Sequence, residues 1–297
     1  MSEVNLKGLG VALITPFTRD GLVDFKALSR LVNFQIENGT SYIVALGTTA
    51  ETPTLTGKEK VDVVECILKE VKNSIPVVIG IGGNNTASVV EELKSTNFTG
   101  ISAVLSVTPY YNKPTAEGLY QHYRCLSEAS PVPLILYNVP GRTGVNMSAE
   151  TTLRIARDFK NVIAIKEASG NINQIEDIIK GSPEGFKVIS GDDSVTSSVI
   201  ELGGIGVISV FGNAFPKEMS WLVDNALAGS SLSARVKMEK DFNELFHLIF
   251  VEGNPAGVKS ILHQKGMIEN IVRLPLVPVS QKTDLLIKEA LIKAATI

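Results

Sequence analysis

The sequence has little cysteine, little histidine and no excess of one charge, and each shortage excludes a class of protein. Only two cysteines, Cys66 and Cys125, occur in 297 residues, which excludes a disulfide-rich scaffold and is typical of reduced thiols. The three histidines lie in predicted helices without the spacing of metal ligands, so no metal site is expected. A net charge of −3 gives no electrostatic basis for binding nucleic acid or an anionic membrane.

Long apolar runs are also missing. None approaches the roughly 18 residues that a membrane helix needs, and the first residues lack the basic and then apolar pattern of a signal peptide. We therefore expect no membrane segment and a cytoplasmic location.

Short apolar runs rich in β-branched residues alternate with amphipathic helical stretches over most of the chain. Such nearly continuous apolar runs are typical of parallel strands buried on both faces. The helix predicted over residues 24–38 has apolar side chains at helical spacing and a glycine just past its end. The eight predicted strands cover residues 11–17, 42–47, 76–82, 101–109, 133–140, 162–168, 186–191 and 206–210.

Strand–helix repetition fits either an open doubly wound sheet or a closed barrel, and the eightfold count favours a (β/α)8 TIM barrel of the α/β class. The strand rhythm stops after Ala228. We predict a catalytic barrel over residues 1–228 and a small helical C-terminal extension over 229–297, with helices near 231–250, 255–265 and 282–295. Active sites of such barrels lie at the carboxyl ends of the strands, so the residues there are the candidates.

Lys166 is the most informative strand-end residue. It closes a predicted strand whose other members are valine, isoleucine and alanine. An ammonium there would be desolvated if it pointed into the barrel, and desolvation favours the neutral amine that attacks a carbonyl. A strand-end lysine can equally be a solvated surface residue, so its neighbours must decide.

Other strand ends carry groups that a Schiff-base reaction on a 2-keto acid needs. Tyr137 offers a phenol as proton shuttle, Thr48 and Thr49 offer donors for a carboxylate, and Arg142 can bind a second carboxylate bidentately. Each also has a structural interpretation: the tyrosine as a core aromatic, the threonines as a helix cap, the arginine as a loop cation. Their convergence on one barrel mouth favours the catalytic interpretation.

At these residues the chain resembles the dihydrodipicolinate synthase family, within the N-acetylneuraminate lyase superfamily. The resemblance extends over nearly the whole sequence, from GVALITPF at residues 10–17 to RLPL at 273–276. Its most specific parts are VTPYYNKP at 107–114, LYNVPGRTG at 136–144 and IKEA at 165–168.

The resemblance implies a role for each site residue. Lys166 would form the imine with pyruvate, and Tyr137 would be the central proton donor and acceptor. Thr48 would link Tyr137 to Tyr111, a tyrosine that in the family reaches across a subunit interface. The resemblance further implies three substrate contacts: the pyruvate carboxylate at Thr49, and the substrate pocket along the backbone of Gly191 and Ile208.

Arg142 favours one substrate among the relatives. It implies a short acceptor that bears a carboxylate, aspartate semialdehyde, rather than the long neutral sugar chain of sialic-acid lyases. The expected activity is therefore 4-hydroxy-tetrahydrodipicolinate synthesis on the diaminopimelate route to lysine, in a homo-oligomer, commonly a tetramer of two tight dimers. No cofactor is expected, because the imine itself is the electron sink. The alternatives are a sugar-acid aldolase of the same superfamily and a non-catalytic keto-acid sensor.

Two departures from the family pattern bear on function. Ala50 replaces the usual glycine after the threonine pair, which a small residue tolerates unless φ must be positive. Gly57, Lys60 and Ser88 stand where lysine-inhibited members carry imidazoles and a glutamate. Since these residues offer no acidic group to a lysine ammonium, we predict weak or absent inhibition by lysine.

Overall fold

A computed structural model describes residues 4–294. Its eight parallel strands pair in chain order, and β8 pairs with β1 to close the barrel. This confirms the predicted (β/α)8 fold. The strands are β1 Gly8–Ala12, β2 Tyr42–Ala45, β3 Val77–Gly80, β4 Ala103–Val107, β5 Leu134–Asn138, β6 Val162–Glu167, β7 Lys187–Ser190 and β8 Gly206–Ser209.

Helices surround the barrel and extend past its last strand. Among residues 4–294 none of them is both long and apolar enough to span a bilayer. The helices are α1 Phe25–Glu37, α2 Gly57–Val71, α3 Thr86–Ser95, α4 Ala116–Ala129, α5 Pro140–Thr143, α6 Ala149–Asp158, α7 Ile172–Gly181, α8 Thr196–Glu201, α9 Pro216–Leu227, α10 Leu232–Leu248, α11 Ala256–Gln264 and α12 Gln281–Ala294.

The first helix shows how closely local sequence fixes an element. The Asp24 side chain accepts a hydrogen bond from the Ala27 backbone N–H at 2.9 Å and so caps the helix start. Leu28, Leu31 and Val32 are buried on one face, as their helical spacing predicts. The predicted helix over residues 24–38 is thus confirmed to within its two cap residues.

The first strand lies earlier than predicted. We predicted residues 11–17, whereas β1 spans Gly8–Ala12, and Phe17 instead pairs with Val23 in an isolated antiparallel bridge. The glycines of this strand, which lower strand propensity, are needed for packing. A Cβ at Gly10 would lie 2.3 Å from the ring of Tyr42, whose side chain fills the barrel interior. That requirement is invisible in the sequence.

Alternation along the strands separates two apolar layers. Inward side chains such as Val44, Ile135 and Ile208 form a cluster inside the barrel. Outward side chains such as Ile43 and Leu136 join the larger core between strands and helices. A polar side chain that replaces an inward residue at the end of a strand therefore faces the mouth of the barrel.

The C-terminal helices α10, α11 and α12 lie close to the predicted spans 231–250, 255–265 and 282–295, although residue 295 lies outside the described part of the chain. The ring of Phe211, just after β8, packs edge-on against Phe242 and Phe246 of α10. The division of the chain at residue 228 stays a prediction.

Burial of His122, which lies on α4, predicts that stability depends on pH. This residue is 3% exposed, and burial lowers its pKa from 6.5 to about 4. Between these values the unfolded chain binds a proton that the folded chain does not, so stability falls as the pH drops from 6.5 to 4. We expect His122→Asn to reduce this acid-induced loss by about 3 kcal/mol.

Urea denaturation at pH 7, 5 and 4, at one protein concentration, measures this difference between wild type and variant. Parallel pH profiles for the two proteins would show that His122 is not the responsible group.

Candidate active site

A cavity of about 460 Å³ opens at the carboxyl ends of the strands. That volume suits a small organic ligand. Its wall includes Thr48, Tyr110, Tyr137, Arg142 and Asn254. Three of these five residues were predicted from the sequence, so the strand-end argument located the cavity.

Lys166 lies inside the barrel beside Tyr137. Its neighbour Ile165 packs outward, and alternation along β6 turns Lys166 inward, where it is 5% exposed. The Cα atoms of Lys166 and Tyr137 are register partners across β5 and β6. The Nζ atom of Lys166 is 4.5 Å from the centroid of the Tyr137 ring. Since Tyr137 also lines the cavity, it connects the amine to the space where a ligand would bind.

The carboxylate next to this amine in sequence points the other way. Glu167 is 1% exposed and accepts hydrogen bonds from Asn138 Nδ2 at 3.0 Å and Gln174 Nε2 at 3.1 Å. Asn138 Oδ1 accepts from the Met147 N–H at 3.0 Å, and Met147 ends the loop that follows β5 and includes the short helix α5 with Arg142. Glu167 therefore fixes that loop against β6 and α7 without placing its charge in the cavity.

Thr48 and Thr49 lie in a short 3₁₀ turn, Thr48–Ala50, directly after β2. Thr48 is half-buried and faces the cavity, whereas Thr49 is buried and accepts a hydrogen bond from Asn254 Nδ2 at 2.9 Å. The left-handed conformation in this turn falls on Glu51, with φ 55°, and not on Ala50. Alanine in place of the family's glycine therefore causes no backbone strain here.

A buried ion pair joins this turn to the C-terminal helices. Glu51 Oε1 is 2.5 Å from Nζ of Lys259, on α11, and both side chains are completely buried. Glu51 Oε2 accepts from the Arg273 N–H at 2.8 Å, and Arg273 in turn pairs with Glu59. Burial lowers the pKa of Lys259 to about 8, so the ammonium form still predominates at pH 7.

Arg142 lies on the short helix α5 that follows β5. Its Nη2 donates to the backbone oxygen of Asn254 at 3.2 Å, and its side chain lines the cavity. The guanidinium is therefore positioned to meet an anionic ligand at the mouth while it is held by one backbone contact.

The remaining predicted residues lie around this cavity rather than in its wall. Tyr111 is 89% exposed, with a left-handed φ of 72°, and its neighbour Tyr110 lines the cavity instead. The Gly191 N–H, just after β7, donates to the backbone carbonyl oxygen of Glu167 at 2.7 Å, and Ile208 is buried in the barrel interior. Of the eight predicted residues, Thr48, Tyr137 and Arg142 thus line the cavity, and Lys166 lies beside Tyr137 just inside it. The other four are not part of the cavity wall.

A second depression, of about 790 Å³, lies at the opposite end of the barrel. Pro133, just before β5, and Lys187, at the start of β7, are part of its wall. Although larger, it is far from the strand-end residues, and the amino-terminal face of such barrels serves stability rather than catalysis. No cluster of metal-binding side chains occurs in the described part of the chain.

A buried primary amine beside a phenol, at the mouth of a parallel barrel, defines the class of protein: a pyruvate-dependent lyase or synthase that works through a Schiff base. The family comparison agrees, since residues 5–295 match the dihydrodipicolinate synthetase family model. The chain belongs to this family.

The similar proteins cover almost the full length of the chain. A curated 4-hydroxy-tetrahydrodipicolinate synthase of Parabacteroides distasonis is 60% identical over 291 residues, 98% of each chain. The solved dihydrodipicolinate synthase of Thermotoga maritima is 42% identical with a TM-score of 0.94, covering 98% of this chain and 99% of that one. The Acinetobacter baumannii enzyme, solved in complex with pyruvate, is 41% identical with a TM-score of 0.94 over 99% of this chain and 100% of that one.

Sequence reasoning missed Glu51, Asn254 and Lys259. Glu51 lies two residues after the threonine pair, directly past Ala50, so its closeness to predicted site residues could have suggested it. Asn254 and Lys259 belong to the helical extension, 205 and 208 residues away from their contacts Thr49 and Glu51. Helical periodicity does not predict which side chains reach the mouth of another part of the fold.

Proposed function

We propose that this chain condenses pyruvate with L-aspartate-4-semialdehyde, the reaction of a 4-hydroxy-tetrahydrodipicolinate synthase on the diaminopimelate route to lysine. The observation that carries the proposal is the buried amine of Lys166, 4.5 Å from the ring centroid of Tyr137. The names of the similar proteins support it, and the location we propose is the cytoplasm.

The first half of the reaction activates pyruvate. The Lys166 amine attacks C2 of pyruvate, and the carbinolamine loses its hydroxyl as water after Tyr137 supplies a proton. Loss of a methyl proton from the resulting iminium gives an enamine. The protonated imine holds the electron pair released in that step, so we propose that neither metal nor organic cofactor is needed. In this scheme Thr49, with the backbone of Gly191 and Ile208, holds the pyruvate end.

The second half forms the carbon–carbon bond. The enamine attacks the aldehyde carbon of the second substrate, whose oxygen takes a proton and becomes a hydroxyl. The substrate amine then attacks the imine carbon, closes the ring and releases Lys166 as a free amine. Arg142 would hold the carboxylate of this substrate, because a guanidinium binds a carboxylate bidentately.

Tyr111 gives a reason to propose an oligomer. In this scheme Thr48 connects Tyr137 to Tyr111 of a neighbouring subunit, which completes a hydroxyl relay to solvent. The 89% exposed ring of Tyr111 is free to reach a second copy of the chain. We therefore propose a tight dimer as the smallest active unit and a tetramer of two such dimers as the full assembly.

Substrate choice tests the proposed function. With pyruvate present, we expect turnover of L-aspartate-4-semialdehyde and no cleavage of N-acetylneuraminate or 2-keto-3-deoxygluconate. Arg142→Gln should raise KM for the semialdehyde about tenfold to a hundredfold and change KM for pyruvate little, because a hydrogen-bonded charge contact is lost. Arg157→Gln, on α6 and away from the cavity, is the matched control.

Turnover of a sugar acid with none of the semialdehyde would show that the chain is another aldolase of the superfamily. Binding of pyruvate without turnover of any of these compounds would indicate a keto-acid sensor.

Inhibition by lysine should be weak or absent. Ser88 is exposed on α3, and the Nζ of Lys60, on α2, lies 3.9 Å from Glu92. The positions that match the lysine-binding residues of inhibited relatives therefore already include a cation, Lys60. Initial rates measured across a lysine titration check this, with the coupling enzyme titrated separately as control. Strong inhibition at sub-millimolar lysine would refute the prediction.

A further inference from the structure

Asn254 connects the two predicted carboxylate-binding groups of the site. It lies in the turn between α10 and α11 and is 7% exposed. Its Nδ2 donates to Thr49 Oγ1 at 2.9 Å, and its backbone oxygen accepts from Arg142 Nη2 at 3.2 Å. One residue therefore holds the threonine assigned to pyruvate and the arginine assigned to the second substrate.

The oxygen of the Asn254 carboxamide, unlike its nitrogen, has no hydrogen-bond partner in the described part of the chain. This atom, Oδ1, is buried, although Asn254 lines the cavity. A buried amide oxygen without a donor costs free energy, so this atom calls for a partner, which a ligand in the adjoining cavity can supply. The ligand group that fits this atom is a hydrogen-bond donor.

The α-amino group of the second substrate is a hydrogen-bond donor that would lie near Asn254. Arg142 is assigned to the carboxylate of this substrate, and Arg142 is bonded to the Asn254 backbone. The α-amino group is attached to the carbon that bears the carboxylate, so it comes beside the same residue. The aldehyde end extends away from Arg142 toward the enamine.

We propose that Asn254 Oδ1 accepts a hydrogen bond from the α-amino group of the semialdehyde and makes the site specific for a 2-amino acid. The inference rests on the proposed function and extends it.

The test compares two aldehydes that differ only in the amino group. L-Aspartate-4-semialdehyde carries it, and succinic semialdehyde lacks it. We expect Asn254→Leu to weaken kcat/KM for the amino aldehyde about 10- to 100-fold, the loss of one hydrogen bond to a charged group. The affinity for succinic semialdehyde, measured as substrate or as competitive inhibitor, should change less than about threefold.

Two further variants separate this role from a purely structural one. Asn254→Asp keeps the acceptor and should retain the preference for the amino aldehyde even if KM for pyruvate rises through the lost Thr49 contact. Asn270→Leu is the control. The Asn270 Oδ1 is also buried and without a hydrogen-bond partner in the described part of the chain, but Asn270 is not part of the cavity wall. This variant should leave the kinetics with both aldehydes unchanged.

An equal loss for both aldehydes in Asn254→Leu, or no loss for either, would overturn the inference. So would a loss of preference in Asn254→Asp, and this variant decides the matter if Asn254→Leu does not fold. Failure of the proposed function is distinguishable, because the wild type itself would then not turn over L-aspartate-4-semialdehyde.

Discussion

Lys166→Arg should lower kcat by at least about a thousandfold, because arginine has a similar length but supplies no amine that forms an imine with pyruvate. Lys166→Ala should lose as much. An arginine can also pack against an aromatic ring such as that of Tyr137, which Lys166 contacts here. A loss of activity in a folded variant would therefore report chemistry rather than collapse of the barrel.

Lys187→Arg is the matched control for this experiment. Lys187 is exposed at the start of β7, at the opposite end of the barrel from the cavity. It should keep wild-type activity. If Lys166→Arg retained more than about a tenth of wild-type kcat, the lysine would not be the nucleophile and the mechanism would be wrong.

Lys259→Met should destabilise the fold by about 3–5 kcal/mol, because it leaves the carboxylate of Glu51 buried without its cation. Both side chains of the pair are completely buried, so solvent cannot replace the lost charge. Since Glu51 ends the turn that carries Thr48 and Thr49, we also expect KM for pyruvate to rise. Urea denaturation and steady-state kinetics of the same preparation measure the two effects.

Two companion variants test the cause of that loss. Glu51→Gln combined with Lys259→Met removes both charges and should recover a large part of the stability. Lys237→Met breaks an exposed pair with Asp241 and should cost less than about 1 kcal/mol. If Lys259→Met were no worse than Lys237→Met, the buried pair would contribute nothing to holding the turn.

The fold could be predicted because each strand of a parallel barrel is buried on both faces, so its sequence is a nearly continuous apolar run. The same logic placed Lys166, Tyr137, Thr48 and Arg142 at one mouth, since the carboxyl ends of parallel strands converge. The start of β1 could not be predicted, because Gly8 and Gly10 are poor strand residues that are tolerated only to make room for neighbouring side chains.

The residues that hold the site in place could not be predicted from the sequence for a different reason. Asn254 and Lys259 act through contacts with Thr49 and Glu51 more than 200 positions away, and no local periodicity encodes such a pairing. Tyr111 illustrates a further limit, since its assigned role depends on a second copy of the chain.

Mass spectrometry after borohydride reduction in the presence of pyruvate tests the central claim most directly. The account predicts a reduced pyruvyl adduct on the tryptic peptide that contains Lys166, and no adduct when pyruvate is left out or Lys166 is replaced by arginine. An adduct on another lysine, or none while the enzyme turns over, would contradict it.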